Sequence, residues 1–308
     1  AQRTKVKYLY VNDVNIQQNA YTNTDYNTVV IGPLVKTIVK DAFSICTIKK
    51  TIWMPNVRPS GIPSCATGSV NYISSRSTYP DSYILYENLT SIFEVDGIKY
   101  VPLNKDTCDV IDCNYNSSQI SVNIGSTVTY GKRTMVVRHI RDYACYDDDK
   151  IAGDIILSNQ GNVGNYAFSL CPNAKTVDVS NNGYIGQQAF SKCTNLTIAN
   201  VHNRGNVGNE AFLDCIISQQ LNINNRGSLG YRAFYSSRIS SLSVDNNVTS
   251  IGIGCFANCT ISQQATLNNK GPIYRSAFKN TELNNLSITN NVTTVEDSCF
   301  ANSTISRS

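Results

Sequence analysis

Along the second half of the chain a small residue followed by an aromatic one returns every 22 residues. The seven pairs are Ala167-Phe168, Ala189-Phe190, Ala211-Phe212, Ala233-Phe234, Cys255-Phe256, Ala277-Phe278 and Cys299-Phe300. Seventeen positions after each Phe stands another apolar residue: Ile185, Val207, Leu229, Ile251, Ile273 and Val295. Between these marks, apolar pairs alternate with polar residues, as in Val177 and Val179, Leu221 and Ile223, Leu242 and Val244, and Leu286 and Ile288. Alternation at period two predicts a short strand with one face turned inward. Thirteen residues after the Phe comes Asn, at 181, 203, 225, 247, 269 and 291. Asn tolerates left-handed backbone and bonds to nearby peptide groups, so it is expected to form the turn that leaves each strand. Gly183, Gly205, Gly227 and Gly271 follow two residues later, whereas Val248-Thr249 and Val292-Thr293 mark a second repeat subtype.

A coil of this length has too little apolar surface to fold alone, but coils in register bury a continuous strip of Phe, Ile and Leu. The expected fold is therefore a repeat solenoid, mainly β, with a short-stranded parallel sheet and 22-residue coils. The N-terminal part echoes the coil less regularly. Val35, Ile38, Ala42, Phe43 and Cys46 repeat the motif, and Cys65 falls 22 residues after Phe43 with Val57 before it. Residues 1–67 are thus expected to hold an irregular cap and two coils, and residues 68–91, rich in Ser, Tyr and Pro, an irregular insertion. Alternation around Asp96-Gly97 predicts a hairpin, and further alternating runs at 108–113, 120–124 and 127–130 complete a strand block over 92–136. The tandem array then occupies 137–308, its first coil carrying Cys145 in place of Phe.

These residues carry a resemblance. The segments at 247–259 and 292–300, with Val-Thr-x-Ile or Val-Thr-x-Val before Cys-Phe, resemble the BspA-type leucine-rich repeat, V-T-x-I-x-x-x-A-F-x-x-C-x-x-L. The match runs from Val137 to about Ile305, and Leu is sparser than usual at the strand positions. Phe93-Glu-Val-Asp-Gly-Ile-Lys-Tyr100 is similar to a phrase that introduces strand blocks in the same family. The resemblance implies a right-handed leucine-rich-repeat superhelix in a secreted or cell-surface protein of bacterial or protist type.

Composition narrows the chemistry. Charged residues are 16% of 308, against roughly 25% in typical soluble domains, and Asn, Ser and Thr take their place. The net charge of +4 is small and dispersed, without a basic cluster that would suggest nucleic acid. No apolar run is long enough to span a membrane, and no leader-like apolar segment opens the chain. Of eleven cysteines, Cys46, Cys171, Cys193, Cys215 and Cys259 lie three residues after the Phe position; Cys65, Cys145, Cys255 and Cys299 lie at it or just before. Their phase makes them interior packing residues. Cys108 and Cys113 stand outside the array, on opposite faces of a straight strand, so a bridge between these two is not expected. No spacing suits zinc, and no cofactor or metal is expected. His139 is expected on the outer side of its coil and His202 at a strand end, neither with a nucleophile motif, so the chain reads as a non-enzyme. Asp147-Asp148-Asp149 reads as a solvated acidic turn, and the eight Asn-x-Ser/Thr sequons, Asn88, Asn116, Asn195, Asn247 and Asn291 among them, mostly as products of repetition.

Function is then expected on the polar residues that flank the inward strand positions, on the concave face of the array. The candidates are Thr176, Asp178, Gln220, Asn222, Asn224, Gln264, Thr266, Asn268, Ser287 and Thr289. Such an amide- and hydroxyl-rich surface suits an extracellular or cell-surface protein partner, with a glycan as the alternative and a passive spacer as the bland reading. Tyr184, Tyr231, Tyr235 and Tyr274 fall on loops beyond the strand, a different rim. The coil that starts at Phe300 stops at Ser308 without a polar cap, which predicts an unpaired edge, either cut from a longer array or met end to end by another copy.

Overall fold

The structure, a computed structural model, describes residues 4–11, 15–31, 37–39, 41–53, 70–72, 92–103, 106–113 and 120–306. Val35, Val57, Cys65, Asn88, Asn116 and most of the 68–91 stretch lie outside the described residues. The chain divides into two units, Ala1–Ile92 with Val101–Lys105, and Phe93–Tyr100 with Asp106–Ser308.

The first unit contains β1 (Thr4–Val11), β2 (Asn15–Ile16), β3 (Thr24–Ile31), β4 (Thr37–Ile38), β5 (Thr47–Trp53) and β6 (Val70–Tyr72). β1, β3, β5 and β6 form one parallel sheet in that order, and β2 pairs with β4. Thr4 faces Thr24, Asp25 faces Thr47 and Thr51 faces Val70, so coils of 20, 22 and 19 residues stack in one ladder. Phe43 is buried, stacks on Tyr21 at 5.2 Å and meets Tyr26 edge-on.

The second unit opens with the hairpin β7 (Phe93–Val95) and β8 (Ile98–Pro102), the last two residues of β8 being counted with the first unit. Asp96 and Gly97 turn it with φ of 51° and 75°, the left-handed pair that an Asp-Gly hairpin requires. Beside it lie β9 (Thr107–Cys113), β11 (Thr127–Tyr130) and β12 (Arg133–Ile140), in the order β11-β12-β9-β8-β7. β10 (Ile120–Ile124), which the sequence groups with this block, joins the array instead. Its Val122 and Ile124 are buried in register with Ile155 and Leu157, continuing the array's inward columns.

The array sheet continues through β13 (Ile151–Leu157), β14 (Thr176–Val179), β15 (Leu196–Val201), β16 (Ile216–Ile223), β17 (Arg238–Val244), β18 (Thr260–Leu267), β19 (Glu282–Asn284), β20 (Leu286–Ile288) and β21 (Thr304–Ser306). All its pairings are parallel, and the described chain contains no helix. Val177, Ala199, Leu221, Leu242 and Ala265 form one buried column, and Val179, Val201, Ile223, Val244 and Leu267 another. On the other side of each coil a bridge ladder runs Ile140, Val163, Ile185, Val207, Leu229, Ile251, Ile273 and Val295. Between the two ladders the rings from Phe168 to Phe300 stack at centroid distances of 5.0–5.5 Å with planes within 14°. That is offset stacking, the geometry aromatic quadrupoles favour.

The turns around each Phe follow a fixed conformation. The residue two before and the residue two after adopt positive φ, as in Tyr166 and Leu170, Gln188 and Lys192, Glu210 and Asp214, and Arg232 and Ser236. Only Gly254 supplies the expected glycine among these array turns. Non-glycine residues at left-handed φ cost about 1 kcal/mol or more each. Cross-coil bonds offset this: the N–H of Phe168 donates to Ala189 O at 2.7 Å, that of Phe190 to Ala211 O at 2.8 Å and that of Phe212 to Ala233 O at 2.7 Å. Close approach also selects glycine elsewhere. A Cβ on Gly208 would sit 2.6 Å from Ile185 O, and one on Gly183 2.6 Å from Gly161 C.

The cysteine column does more than fill space. Cys193, Cys215 and Cys259 donate through Sγ to the carbonyls of Phe168, Phe190 and Phe234 at 3.4, 3.1 and 3.0 Å. Ser237 and Thr281 stand in the same column and donate to Phe212 O and Phe256 O at 2.8 and 2.6 Å, and Ser303 to Phe278 O. The position therefore selects a small donor, which explains why Cys, Ser and Thr interchange there. Burial pushes the Cys215 and Cys259 thiols up to about 12, so they stay protonated and able to donate.

Cys145 is not a free packing residue. It forms a disulfide with Cys113, Cα to Cα 5.0 Å, and so ties β9 to the first array coil, where the Phe ring is missing. Cys108, Cys193, Cys215, Cys255, Cys259 and Cys299 are free thiols, all of them buried.

Asn bonds to the turn backbone as expected and departs from expectation only in its own backbone. Asn181, Asn203, Asn225 and Asn269 are buried and do not take left-handed backbone. Their Nδ2 groups donate inward: Asn181 to Gly161 O at 2.7 Å, Asn203 and Asn225 to Gly205 O and Gly227 O at 2.8 and 2.9 Å, Asn269 to Gly271 O at 2.8 Å. Asn247 is exposed, and Val248 is buried in the turn beside it. The reason is a one-residue slip. β17 pairs Leu221 with Leu242 and Leu242 with Ala265, separations of 21 and 23, so sequence phase and structural register part company in this subtype.

Cys215→Ser should keep the hydrogen bond to Phe190 O and shift the urea unfolding midpoint little. Cys215→Val should destabilise the array by roughly 1–3 kcal/mol, the cost of an orphaned buried carbonyl. Equal loss in both variants would make the column a matter of packing alone. Phe212→Ala, at the middle of the stack, should cost about 3–5 kcal/mol in the same measurement.

Candidate interaction surface

The ten polar positions expected to form a site do share one face of the array sheet. Thr176 is in register with Ile198, Gln220, Ser241 and Gln264. Asp178 leads a second column through Asn200, Asn222, Ser243, Thr266 and Ser287. Asn224, Asn268 and Thr289 stand one step beyond the inward column, where their N–H groups donate to Val201 O, Val244 O and Leu267 O.

Much of this surface is bonded to itself. Asn222 donates to Asn200 Oδ1 at 2.9 Å, and Asn200 donates to Asp178 at 3.3 Å. Asn224 Oδ1 accepts from Asn247 at 2.6 Å. Asn268 Oδ1 accepts from Thr289 at 2.5 Å and from Asn291 at 2.7 Å. Gln264 donates to Thr266 Oγ1 at 3.1 Å. The result is a fixed amide ladder, half-buried over most of its length.

Two other clusters stand apart from this face, and the first needed coordinates to be seen. At the head of the array Asp109 is buried, accepts the His139 N–H at 3.0 Å and pairs with Arg141. Next to it in β9, Asp112 pairs with Lys99 at 3.6 Å. His139 is half-buried rather than outward, because Nδ1 accepts the Asn162 N–H at 3.0 Å. The same service is rendered one coil on, where Asn162 Oδ1 accepts the Tyr184 N–H at 3.1 Å, and later where Asn206 accepts from Ser228. His139 is thus a capping acceptor, and its imidazole lone pair is already engaged. Burial pushes the Cys108 thiol up to about 12, with Asp109 adding to the shift, so it offers no thiolate at neutral pH. Asp148 is buried and accepts the Lys150 N–H at 3.2 Å, which makes the acidic turn at 147–149 a local cap. Among the described residues no group of three His, Cys, Asp or Glu side chains could hold a metal ion.

The second cluster is on the turns. Tyr184, Tyr231 and Tyr274 are exposed, and the Arg232 guanidinium lies 4.9 Å from the Tyr231 ring and 4.6 Å from the Tyr235 ring. Tyr143 and Tyr166 stack at 4.8 Å on the first coils.

Six copies of the BspA type leucine-rich repeat region match this sequence, over residues 10–104, 111–226, 138–262 and 185–306. The chain belongs to the BspA-type leucine-rich repeat family. The match takes in both units, so the short, uneven coils of the first unit are repeats of the same family. Among solved structures, a leucine-rich cell surface protein from Faecalibacterium prausnitzii is similar at 13% identity, over 69% of this chain and 80% of its own, with a TM-score of 0.33. Leucine-rich repeat proteins from Bacteroides capillosus and Bacteroides ovatus are similar at 19% and 17% identity. The first covers 36% of this chain and 82% of its own at a TM-score of 0.32, the second 68% and 80% at 0.29. No curated protein matches.

His139 gives this BspA-type array a pH dependence of definite sign. Burial lowers its pKa below the ordinary value, Asp109 opposing and Arg141 and Arg138 assisting. A depressed folded pKa means that the stabilisation is complete above the unfolded value of about 6.5 and is lost as pH falls towards the folded pKa. His139→Asn provides an amide oxygen for the Asn162 N–H at any pH. Its unfolding midpoint should therefore fall less than that of the parent between about pH 7 and pH 5; parallel curves would show that the imidazole does not cap.

Proposed function

We propose that the protein is a secreted or cell-surface adhesion molecule that binds a host, matrix or cell-surface protein through its solenoid, without catalysis. The observation that carries this reading is the amide ladder on the array sheet. Side chains already fixed by their neighbours lose little rotamer freedom when a partner docks, so a broad polar face of this kind is preorganised for binding. Membership of the BspA-type family supports a surface location. The Cys113–Cys145 disulfide agrees with an oxidising compartment, where such bonds persist. Among the described residues no helix is long and apolar enough to cross a membrane. A neutral glycan would meet the same ladder, while a spacer would use it only for cohesion.

The test is saturable binding of the chain to immobilised matrix proteins and neutral glycans. Asn222→Arg and Gln264→Arg place bulky charges on the face without touching the buried columns, and each should weaken binding at least tenfold. Binding to a protein that ignores both changes would move the site elsewhere. Failure to bind any partner in either set would favour the spacer.

A further inference from the structure

We propose that a strip on the turns of three consecutive coils, distinct from the sheet face, binds a sulfated or carboxylated polysaccharide. The cations that look dispersed along the chain gather in one band of the array. From Arg226 to Lys279 there are six, Arg226, Arg232, Arg238, Lys270, Arg275 and Lys279, against the single carboxylate of Asp245. The neighbouring coils carry the opposite net sign, with Glu210 and Asp214 against Arg204 before the band and Glu282, Glu296 and Asp297 after it. A cationic band bracketed by acids positions an anionic ligand along the array as well as attracting it.

Apolar surface lies within the same band. The bridge register of Leu229, Ile251 and Ile273 sets Tyr231, Ile253 and Arg275 side by side on successive coils, with Tyr274 next to Arg275. At about 4.8 Å per coil, the three span on the order of 10 Å. Tyr231, Ile253 and Tyr274 are 43%, 37% and 37% exposed, although earlier coils place Asn, Gln or Gly at the same positions. The repeat does not need these side chains, so their presence is a departure that the fold leaves unexplained. Tyr231 and Tyr235 flank the Arg232 guanidinium, which makes no ion pair among the described residues, and hold it in place through their ring faces.

The strip's backbone decides what class of ligand fits. Tyr231 N–H donates to Asn209 Oδ1 at 3.0 Å, Arg232 to Ile253 O at 3.1 Å, Tyr274 to Ile251 O at 2.9 Å and Arg275 to the Glu296 carboxylate at 2.9 Å. With those donors engaged, a peptide cannot add as a further strand. What remains is exposed ring surface and cationic side chains, the set that meets the faces of sugar rings and their sulfates or carboxylates.

Heparin, hyaluronate and poly-glutamate serve as probes in titrations of the full chain at two salt concentrations. Heparin should bind saturably and more weakly at higher salt. Arg232→Gln with Arg275→Gln should weaken it at least tenfold, whereas the charge-matched pair Lys132→Gln with Arg133→Gln, on an exposed hairpin, should change it less than twofold. Tyr231→Ala, which alters no charge, should weaken it several-fold with the unfolding midpoint preserved. Hyaluronate binding with the same sensitivities would assign carboxylate as sufficient, and its absence would assign sulfate. Equal losses from the two charge-matched pairs, indifference to Tyr231→Ala, no heparin binding, or poly-glutamate binding as tightly as heparin would each overturn the proposal. Binding of a protein partner to the sheet face should survive Arg232→Gln with Arg275→Gln, so this idea and the adhesion reading fail separately.

Discussion

Each side chain in the array has as its nearest neighbour the residue in the same column one coil away, about 4.8 Å distant. Most of the structure follows from what can be stacked on itself at that distance. Rings can, in offset stacks, and so can branched aliphatics. Amides can, because each offers a donor to one side and an acceptor to the other, as Asp178, Asn200 and Asn222 show. Like charges cannot without cost: two at about 5 Å repel by on the order of 1–3 kcal/mol, depending on how much water screens them. The scarcity of charge in the composition is thus a packing result. Gln188 next to Glu210 obeys the same rule, and where Arg204 and Arg226 follow one another both are exposed and their long stems can diverge.

The rule sorts what was legible in the sequence from what was not. Phe168 to Phe300, the inward strand residues and the ladder from Val163 to Val295 could be read, because a residue that must stack on a copy of itself repeats its own type. The outward face could be located by the same alternation. The donor role of Cys215 could not be read from the cysteines alone; Ser237 and Thr281 in their column were the available signal. The slip at β17 was hidden because a residue lost before the strand is regained after it, leaving the Phe beat intact. The Cys113–Cys145 bond joins elements that no periodicity relates. His139 looked outward only because its partner, the Asn162 N–H, belongs to the next coil.

The first unit shows that the ladder depends on the strand's return and not on the residue count. Registers of 20, 22 and 19 residues close coils of unequal length onto one parallel sheet, with length absorbed outside the paired segments. Among the described residues of this unit, the coil with Ala42, Phe43 and Cys46 carries the interior signature, which is why sequence periodicity finds that coil and passes over β1 and β3.

The left-handed residues that flank each Phe have a consequence for how such a chain can diversify. Their conformation is imposed by the coils above and below, through bonds such as Phe190 N–H to Ala211 O, and not by glycine. Tyr, Gln, Glu, Arg, Gly and Ser all occupy the place two residues before the Phe in successive coils, on a backbone that does not change. Gene duplication of a coil therefore adds a blank as well as a brick: the new copy inherits a turn whose outward side chain is free to drift, and an existing array can acquire a new surface chemistry one letter at a time while its core stays as it was.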